Sequence, residues 1–345
     1  MIRLRKKKDA GAGGPTISRR RLLASGAGIA SAGVAARVAG AVGKIPTAPL
    51  SQGDHGIGHF GNLPVGDVDT SRFDPSAYLT EFDEGTLSKL PGGQTLREFR
   101  VTAVDTEIEV APGVAFAAWA YNGRVPGPTL RATEGDLVRV HFTNAGSHPH
   151  TMHFHGFHAS GMDGVFEQVG NGESFTYEFT AEPFGLHLYH CHTPPLKRHI
   201  HKGLYGVFIV DPPSGRPPAN EMVMMMNAFD TNFDGENEIY AVNSVGFHYM
   251  RHPIQIRRNE LVRIYLVNIT EFDPINSLHS HATFFNEYRT GTKLEPDNFT
   301  DTIVLGQGER SILELRYAYA GRFMFHAHVS EFAELGWTGM FEVSG

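Results

Sequence analysis

The chain has 345 residues, of which 19 are histidine and one is cysteine, and its formal net charge at pH 7 is −7. The single cysteine excludes a framework of intrachain disulfides. The acidic balance argues against nucleic acid or an anionic membrane surface as a partner, because both attract basic proteins.

Residues 1–41 have the composition of an export signal. Basic residues lead into Ser18-Arg19-Arg20-Arg21-Leu22-Leu23, a twin-arginine pattern, and an Ala/Gly-rich run follows. That run contains too much glycine, and is interrupted by Arg37, for a membrane span. We therefore predict a twin-arginine signal peptide over 1–41, a periplasmic or extracellular location and no integral membrane segment. A disordered basic tail is the alternative.

From about Gln94 onward the sequence predicts an all-β protein. Short runs of β-branched and aromatic residues are separated by Gly, Pro and Asn turns, and almost no helical period is sustained. A β-region of about 250 residues suits two sandwich or barrel domains. Residues 42–95, which are rich in Gly, Asp and Pro, are predicted to form an irregular N-terminal arm.

The two halves of the β-region repeat one another. Residues 135–144 align with 259–268, and residues 185–192 align with 321–328. Internal similarity of this kind indicates duplicated structural units.

The repeat places the first domain at 96–213 and the second at 219–345, with the Pro/Gly-rich residues 211–218 between them. The run Met222-Val-Met-Met-Met226 then opens the second domain. We interpret it as a buried first strand. A soft site for a cuprous ion is the alternative, since thioether sulfur is a ligand of that ion.

Four histidine pairs with the spacing His-x-His stand at repeat-equivalent positions, and the only cysteine stands inside the second of them. On an extended strand both imidazoles of such a pair point to one side, and the residue between them points to the other. One such pair is commonly a coincidence, but four at repeat-equivalent positions predict metal binding. The pairs are His153/His155, His190/His192, His279/His281 and His326/His328.

The single thiol favours copper. A trigonal His₂Cys site with a weak axial ligand is the blue-copper arrangement, which is suited to transfer of single electrons. Cys191 would supply the thiolate, while His150 and His199 are the candidates for the two imidazoles. His148 is the alternative to His150.

These motifs resemble those of two-domain multicopper oxidases, which are built from cupredoxin-like Greek-key barrels, and more distantly those of copper nitrite reductases. The resemblance covers about residues 96–345 and implies four coppers per chain. Cys191 would hold the type 1 copper, and His153 and His279 the single type 2 copper. Two type 3 coppers would be held by the six remaining imidazoles of the pairs: His155, His190, His192, His281, His326 and His328.

The resemblance also implies how the two domains differ. In related reductases an axial methionine follows the type 1 histidine by five residues, where this chain has Leu204. Leucine cannot coordinate, so we expect a relatively oxidising type 1 site. In the second domain Ala327 replaces the cysteine and Asn276 stands where His150 does in the first. A type 1 site is therefore expected in the first domain only.

Asp163 is a candidate for proton transfer. It precedes Gly164 at about the place where related oxidases keep an aspartate near the type 2 copper, and a carboxylate there can act as a proton relay. The alternative is an Asp-Gly turn without a catalytic role.

The resemblance implies an oxidase that couples oxidation of an external donor to reduction of dioxygen to water. The donor would be a phenol, an aromatic amine or a metal ion. Because each cluster would need ligands from two domains that meet, we expect a homotrimer with clusters at the subunit interfaces. A copper nitrite reductase and a copper-binding electron carrier are the alternatives. The reductase is disfavoured because His153 replaces its catalytic aspartate and His192 replaces a residue that is not a ligand.

Overall fold

The computed structural model describes residues 63–345, so the predicted signal peptide lies outside the described residues. The strands of this part are β1 (Phe82–Asp83), β2 (Thr86–Lys89), β3 (Thr95–Ala111), β4 (Val114–Tyr121), β5 (Thr129–Thr133), β6 (Leu137–Asn144), β7 (His153–Phe154), β8 (Ser174–Thr180), β9 (Gly185–His190), β10 (Tyr205–Asp211), β11 (Asn220–Phe229), β12 (Ile239–Val242), β13 (Ile254–Arg257), β14 (Val262–Asn268), β15 (Ile275–Ser280), β16 (Phe285–Arg289), β17 (Asn298–Thr300), β18 (Thr302–Gly306), β19 (Arg310–Leu315), β20 (Gly321–His326) and β21 (Thr338–Ser344). Its helices are α1 (Pro75–Tyr78), α2 (Leu196–His201), α3 (His248–Arg251), α4 (Ser330–Glu334) and one 3₁₀ turn (Ser160–Met162). Within residues 63–345, none of the helices has the length and apolar character needed to cross a membrane.

Strands β1 to β10 form the first barrel, which comprises residues 82–211. One of its sheets has the strand order β1-β5-β10-β9-β7, and the other has β2-β3-β6-β8 with β4 paired to β3. Along β6 the side chains alternate between half-buried and buried, as expected for a strand with one face on a core. Val138, Val140 and Phe142 are the buried members, and they join the apolar core between the two sheets.

Strands β11 to β21 form the second barrel, residues 220–344, from sheets of order β12-β11-β14-β19-β16-β17 and β13-β21-β20-β15-β18. Strand β14 is buried along its whole length. Ile264 and Leu266 face the core of the second barrel, whereas Tyr265 and Val267 join an apolar cluster shared with the first barrel. The all-β fold with two cupredoxin-like barrels is therefore confirmed.

The methionine run is a buried strand, as predicted. Met222, Met224 and Met226 in β11 lie in the core of the second barrel, and Val223 and Met225 lie in the cluster between the barrels. All five side chains are at most 1% exposed. Their sulfurs fill apolar space, so the packing favours a structural role over a cuprous-ion site.

The internal repeat is reproduced in the pairing of strands. In the first barrel β7 pairs with β9 so that His153 lies opposite His190. In the second barrel β15 pairs with β20 so that His279 lies opposite His326. The two barrels thus present their histidine pairs from equivalent strand ends.

The N-terminal arm is more regular than its composition indicates. Asp74 caps α1 through a side-chain hydrogen bond to the Ser76 N–H, β1 pairs in parallel with β5, and β2 pairs with β3. These short strands are stabilised by the edges of the first barrel, a tertiary effect that local propensity does not report.

Candidate metal centre

Three segments of the first barrel meet at a mononuclear candidate site. Reciprocal backbone hydrogen bonds of 3.0 and 3.1 Å join His150 to Val169, Cys191 directly follows β9, and His199 lies in α2. The His199 Nδ1 atom is 3.2 Å from the Cys191 Sγ atom and 3.2 Å from the His150 Nδ1 atom. All three potential ligand atoms lie within 4.8 Å of one another, a spacing that one metal ion can bridge.

Burial makes these three groups suitable for a soft cation. It lowers the pKa of His150 and of His199 to about 4, so both imidazoles are neutral at pH 7 and keep a lone pair. Burial raises the pKa of the Cys191 thiol, while the Thr151 N–H, 3.4 Å from Sγ, can donate to a thiolate. Two neutral imidazoles and one sulfur, without a carboxylate in the set, fit copper far better than magnesium or calcium.

His148 lies outside this group. Its side chain is exposed, its ring packs on Trp119 with centroids 4.5 Å apart, and its Nδ1 atom is 2.9 Å from the Ser147 hydroxyl oxygen. The geometry therefore favours His150 over His148 as the partner of Cys191.

Leu204 is buried in the same apolar core as Cys191. Its carbonyl oxygen accepts a 2.9 Å hydrogen bond from the Cys191 N–H, which ties the two segments together. The leucine side chain has no donor atom, so this position contributes apolar surroundings rather than a ligand.

The His-x-His pairs lie at strand ends rather than inside strands, which differs from the sequence-based expectation. β7 ends one residue before His155, and β15 ends one residue before His281. His192 likewise follows the end of β9. The first member of each pair is placed by the strand and its ladder partner, whereas the second is placed by the loop beyond it.

Eight imidazoles form two groups with nearly equal geometry. The first half-cluster consists of His153, His155, His190 and His192, and the second half-cluster of His279, His281, His326 and His328. In the first, the rings of 153 and 190, 153 and 192, and 155 and 190 have centroids 5.2, 5.4 and 5.4 Å apart. The equivalent distances in the second are 5.5, 5.4 and 5.1 Å.

Backbone carbonyls orient several of these rings for a metal. The Nδ1–H groups of His190 and His326 donate to the carbonyl of the following residue, at 3.0 and 2.7 Å, which leaves each Nε2 lone pair free. His155 Nε2 lies 3.3 Å from His190 Nε2, and His281 Nε2 lies 3.0 Å from His326 Nε2. Burial lowers the pKa of His155 to about 3 and that of His190 to about 4, so a metal ion suits the space between their nitrogens better than an added proton.

An aspartate contacts the first histidine of each half-cluster. His153 Nδ1 is 2.7 Å from the Asp163 carbonyl oxygen and 3.1 Å from its carboxylate. His279 Nδ1 is 3.0 Å from the Asp301 carbonyl oxygen and 3.9 Å from its carboxylate. Sequence reasoning missed Asp301, because it follows its histidine by 22 residues instead of ten. The register that pairs His279 with Thr302 brings it close.

Asp163 forms the Asp-Gly turn that the sequence indicates, and its carboxylate also lies beside His153. It ends the 3₁₀ turn, and Gly164 follows at φ +70°, where an added Cβ would collide with the Met152 carbonyl oxygen. The same turn directs the carboxylate of Asp163 toward His153.

The two half-clusters remain separate within one chain. Among residues 63–345, no group of potential ligands combines a histidine of the first half-cluster with one of the second. His281 and His328 are exposed. Large apolar side chains are exposed in the same loops, including Phe157 after His155 and Phe284 after His281.

Comparisons with known proteins match this architecture. Two sequence profiles described as multicopper oxidase cover residues 102–215 and 215–345. A solved multicopper oxidase shares 57% identity, and the alignment covers 81% of this chain and all of that one, with a TM-score of 0.79.

Copper nitrite reductases are also similar. The enzyme from Neisseria meningitidis is 29% identical over 250 residues, which are 66% of this chain and 64% of the relative. The chain therefore spans slightly less than two thirds of that curated relative. A solved reductase from Nitrosomonas europaea shares 28% identity over 72% of this chain and 94% of its own, with a TM-score of 0.67. Given the match to both profiles and to the full length of a solved relative, this chain belongs to the multicopper oxidase family.

Proposed function

We propose that this protein is a laccase-like oxidase that removes electrons one at a time from a phenol, an aromatic amine or a metal ion and passes them to dioxygen. The observation that carries this proposal is the arrangement around Cys191. The cysteine belongs to the mononuclear group, and the histidines on both sides of it belong to the first half-cluster. A covalent route of three residues would therefore connect the site that receives electrons to the site that uses them.

The proposed copper content is four per chain. His150, Cys191 and His199 would hold the type 1 copper. His153 and His279 would hold the type 2 copper, and the other six imidazoles of the half-clusters the type 3 pair. Copper supplies one-electron redox chemistry at these positions. Four one-electron donors, together with four protons, balance the reduction of one dioxygen to two waters.

We propose a homotrimer in which the first half-cluster of one subunit faces the second half-cluster of the next. The separation of the half-clusters within the described residues supports this arrangement, as do the exposure of His281 and His328 and the exposed apolar side chains beside them. When heterologous contacts between subunits close into a ring, each subunit has both of its contact surfaces buried against a neighbour.

Nitrite reduction is the second candidate function, because several curated relatives carry that name. The residue pattern favours the oxidase. His153 stands where such reductases are expected to have a catalytic aspartate, and His192 adds an imidazole that a lone type 2 copper does not need. A copper-binding electron carrier without turnover is the third candidate.

Copper stoichiometry combined with oxygen uptake tests the proposed function. We expect about four coppers per chain, as the ligand count requires, and oxygen consumption with phenols, aromatic amines, Cu(I), Mn(II) or ferrocyanide as donor. About two coppers per chain with nitrite turnover would identify a reductase. A blue protein that consumes no oxygen with any donor would identify a carrier.

We propose that the Asp163 carboxylate supplies protons at the cluster, and Asp163→Asn tests this. The amide keeps the size of the side chain and leaves the backbone carbonyl that orients His153. We expect kcat for oxygen reduction to fall by about 10²-fold or more, the usual contribution of a proton-transfer group, with unchanged copper content and blue absorption. Steady-state oxygen uptake together with the absorption spectrum measures both. An unchanged kcat would assign Asp163 to the turn alone.

We further propose that the protein is exported by the twin-arginine route to the periplasm or the extracellular space. The Arg19-Arg20-Arg21 pattern in the predicted signal peptide supports this proposal.

A further inference from the structure

A cavity of about 650 Å³ lies between the two barrels, beside the mononuclear site. Helix α2 and Lys202 line it from the first barrel. The loop 230–235 and Phe272 line it from the second. The helix α2 that lines this cavity also carries His199, a candidate type 1 ligand.

Lys202 is a buried cation without an anionic partner. The residue is 9% exposed, and it forms no ion pair with any residue of the described part of the chain. Three aromatic rings surround its ammonium group instead, with Nζ 4.7 Å from the Phe233 centroid, 5.1 Å from Phe116 and 5.9 Å from Trp119. Burial and, to a lesser extent, the charge of Arg198 lower the pKa of Lys202, while the carboxylate of Asp105, which forms no ion pair with it, acts in the opposite direction.

The other charged groups at the cavity leave this cation unneutralised. Lys197 lies over the Phe272 ring, with its Nζ 4.1 Å from the centroid, and Arg198 also lines the cavity. The carboxylate of Asp230 accepts backbone N–H groups of its own loop at 3.1 and 2.8 Å. Asp234 likewise accepts a backbone N–H of the loop, at 3.0 Å. Three cations therefore face two carboxylates that are already hydrogen-bonded.

Aromatic and polar groups complete the lining. Phe233 has a backbone φ of +65°, an unfavourable conformation for a bulky residue, and its exposed ring lines the cavity. His201 is buried, and its Nε2 atom has no hydrogen-bond partner within residues 63–345. A ligand with a planar ring and a negative group matches this combination of aromatic faces and an unpaired ammonium.

Trp119 links the cavity to the mononuclear site. The backbone N–H of Trp119 donates to the Lys202 carbonyl oxygen at 2.8 Å. Its ring centroid is 4.8 Å from that of His199 and 5.3 Å from that of His150. Lys202, which lines the cavity and whose Nζ is 5.9 Å from the Trp119 centroid, thus connects the cavity to a ring that packs on both imidazoles.

We propose that this cavity binds phenolic electron donors that carry a carboxylate, with the carboxylate on the Lys202 ammonium and the ring against Phe233 and Phe272. This inference rests on the proposed oxidase function. With copper bound at the mononuclear site, each phenol would lose one electron to the protein and its phenolic proton to solvent. Four such oxidations balance the conversion of one dioxygen and four protons to two waters.

The test compares syringate, a phenolic carboxylate, with its neutral methyl ester in the wild type and in Lys202→Gln. We expect the substitution to raise KM for syringate about tenfold, which corresponds to about 1.4 kcal/mol. KM for methyl syringate and kcat for both donors should stay within about twofold, because the charge acts on binding of the carboxylate. Lys202→Arg should restore tight binding. The matched control is Lys89→Gln, which removes a cation from the exposed strand β2.

Binding is also measured without turnover. Trimethoxybenzoate lacks the phenolic hydroxyl, so it reports carboxylate binding even if no donor is oxidised, and calorimetry should show about tenfold weaker binding to Lys202→Gln. An equal rise in KM for syringate and for methyl syringate in Lys202→Gln would overturn the inference. Unchanged binding of trimethoxybenzoate together with an unchanged KM for syringate would overturn it as well. If methyl syringate is oxidised normally, such a result leaves the oxidase intact. Normal carboxylate binding without any oxygen uptake would instead refute the proposed function.

Discussion

His192→Ala is expected to abolish oxygen reduction while most of the blue absorption remains. His192 belongs to the first half-cluster, with its ring centroid 5.4 Å from that of His153, and it is not part of the mononuclear group. Its backbone N–H donates to the Thr151 hydroxyl at 3.0 Å. This hydrogen bond does not involve the imidazole, so we expect the backbone conformation next to Cys191 to be preserved in the variant. Loss of a direct ligand should exceed the effect of losing an outer partner, so we expect more than about a 100-fold fall in kcat.

Oxygen uptake, copper per chain and the thiolate charge-transfer band measure this effect together. Anaerobic addition of a donor should still bleach the blue band, because the mononuclear site is intact. His141→Ala is the matched control, since His141 lies in the same barrel but pairs with Glu98 at 3.1 Å. Full oxygen uptake by His192→Ala would refute the proposed role of the first half-cluster.

Phe157→Asp is expected to dissociate the proposed trimer and to lower the copper content from about four per chain to about one. Phe157 is 65% exposed and lies two residues after His155. At a subunit interface the new carboxylate would be buried without a partner, at a cost of several kcal/mol. The mononuclear ligands all come from one barrel, so the blue absorption should persist.

Light scattering gives the mass of the assembly, and metal analysis of the same fractions gives copper per chain. Leu87→Asp serves as the control, because Leu87 is also exposed but lies on β2, away from the histidine loops. If Phe157→Asp remains a trimer with full copper content, Phe157 does not lie in the subunit interface. A wild-type monomer that binds four coppers would disprove the trimer itself.

Several features of the fold could be predicted because they depend on local patterns. The alternation along β6 and the runs of β-branched residues indicate strands. The repeat indicates two barrels, and the burial of Met222–Met226 follows from their apolar character. The repeat likewise predicts that the histidine pairs occupy equivalent positions in the two barrels, as the strand pairing shows.

Other features could not be predicted because they depend on contacts between distant segments. Asp301 reaches His279 only through the pairing of β15 with β18. The strands of the arm form only against the edges of the first barrel. The Lys202 cavity is formed by α2 together with a loop of the second barrel. The absence of an ion-pair partner for the Lys202 ammonium cannot be read from the spacing of residues in the sequence.

By itself, the sequence determined the set of potential metal ligands, because residue identity and His-x-His spacing are properties of the covalent chain. Only the tertiary structure decided that His150 rather than His148 lies beside Cys191 and His199, since that depends on the backbone pairing of His150 with Val169. It also decided that the two half-clusters stand apart within residues 63–345. The barrels bury one apolar face against each other, and this packing fixes where each group of imidazoles can point.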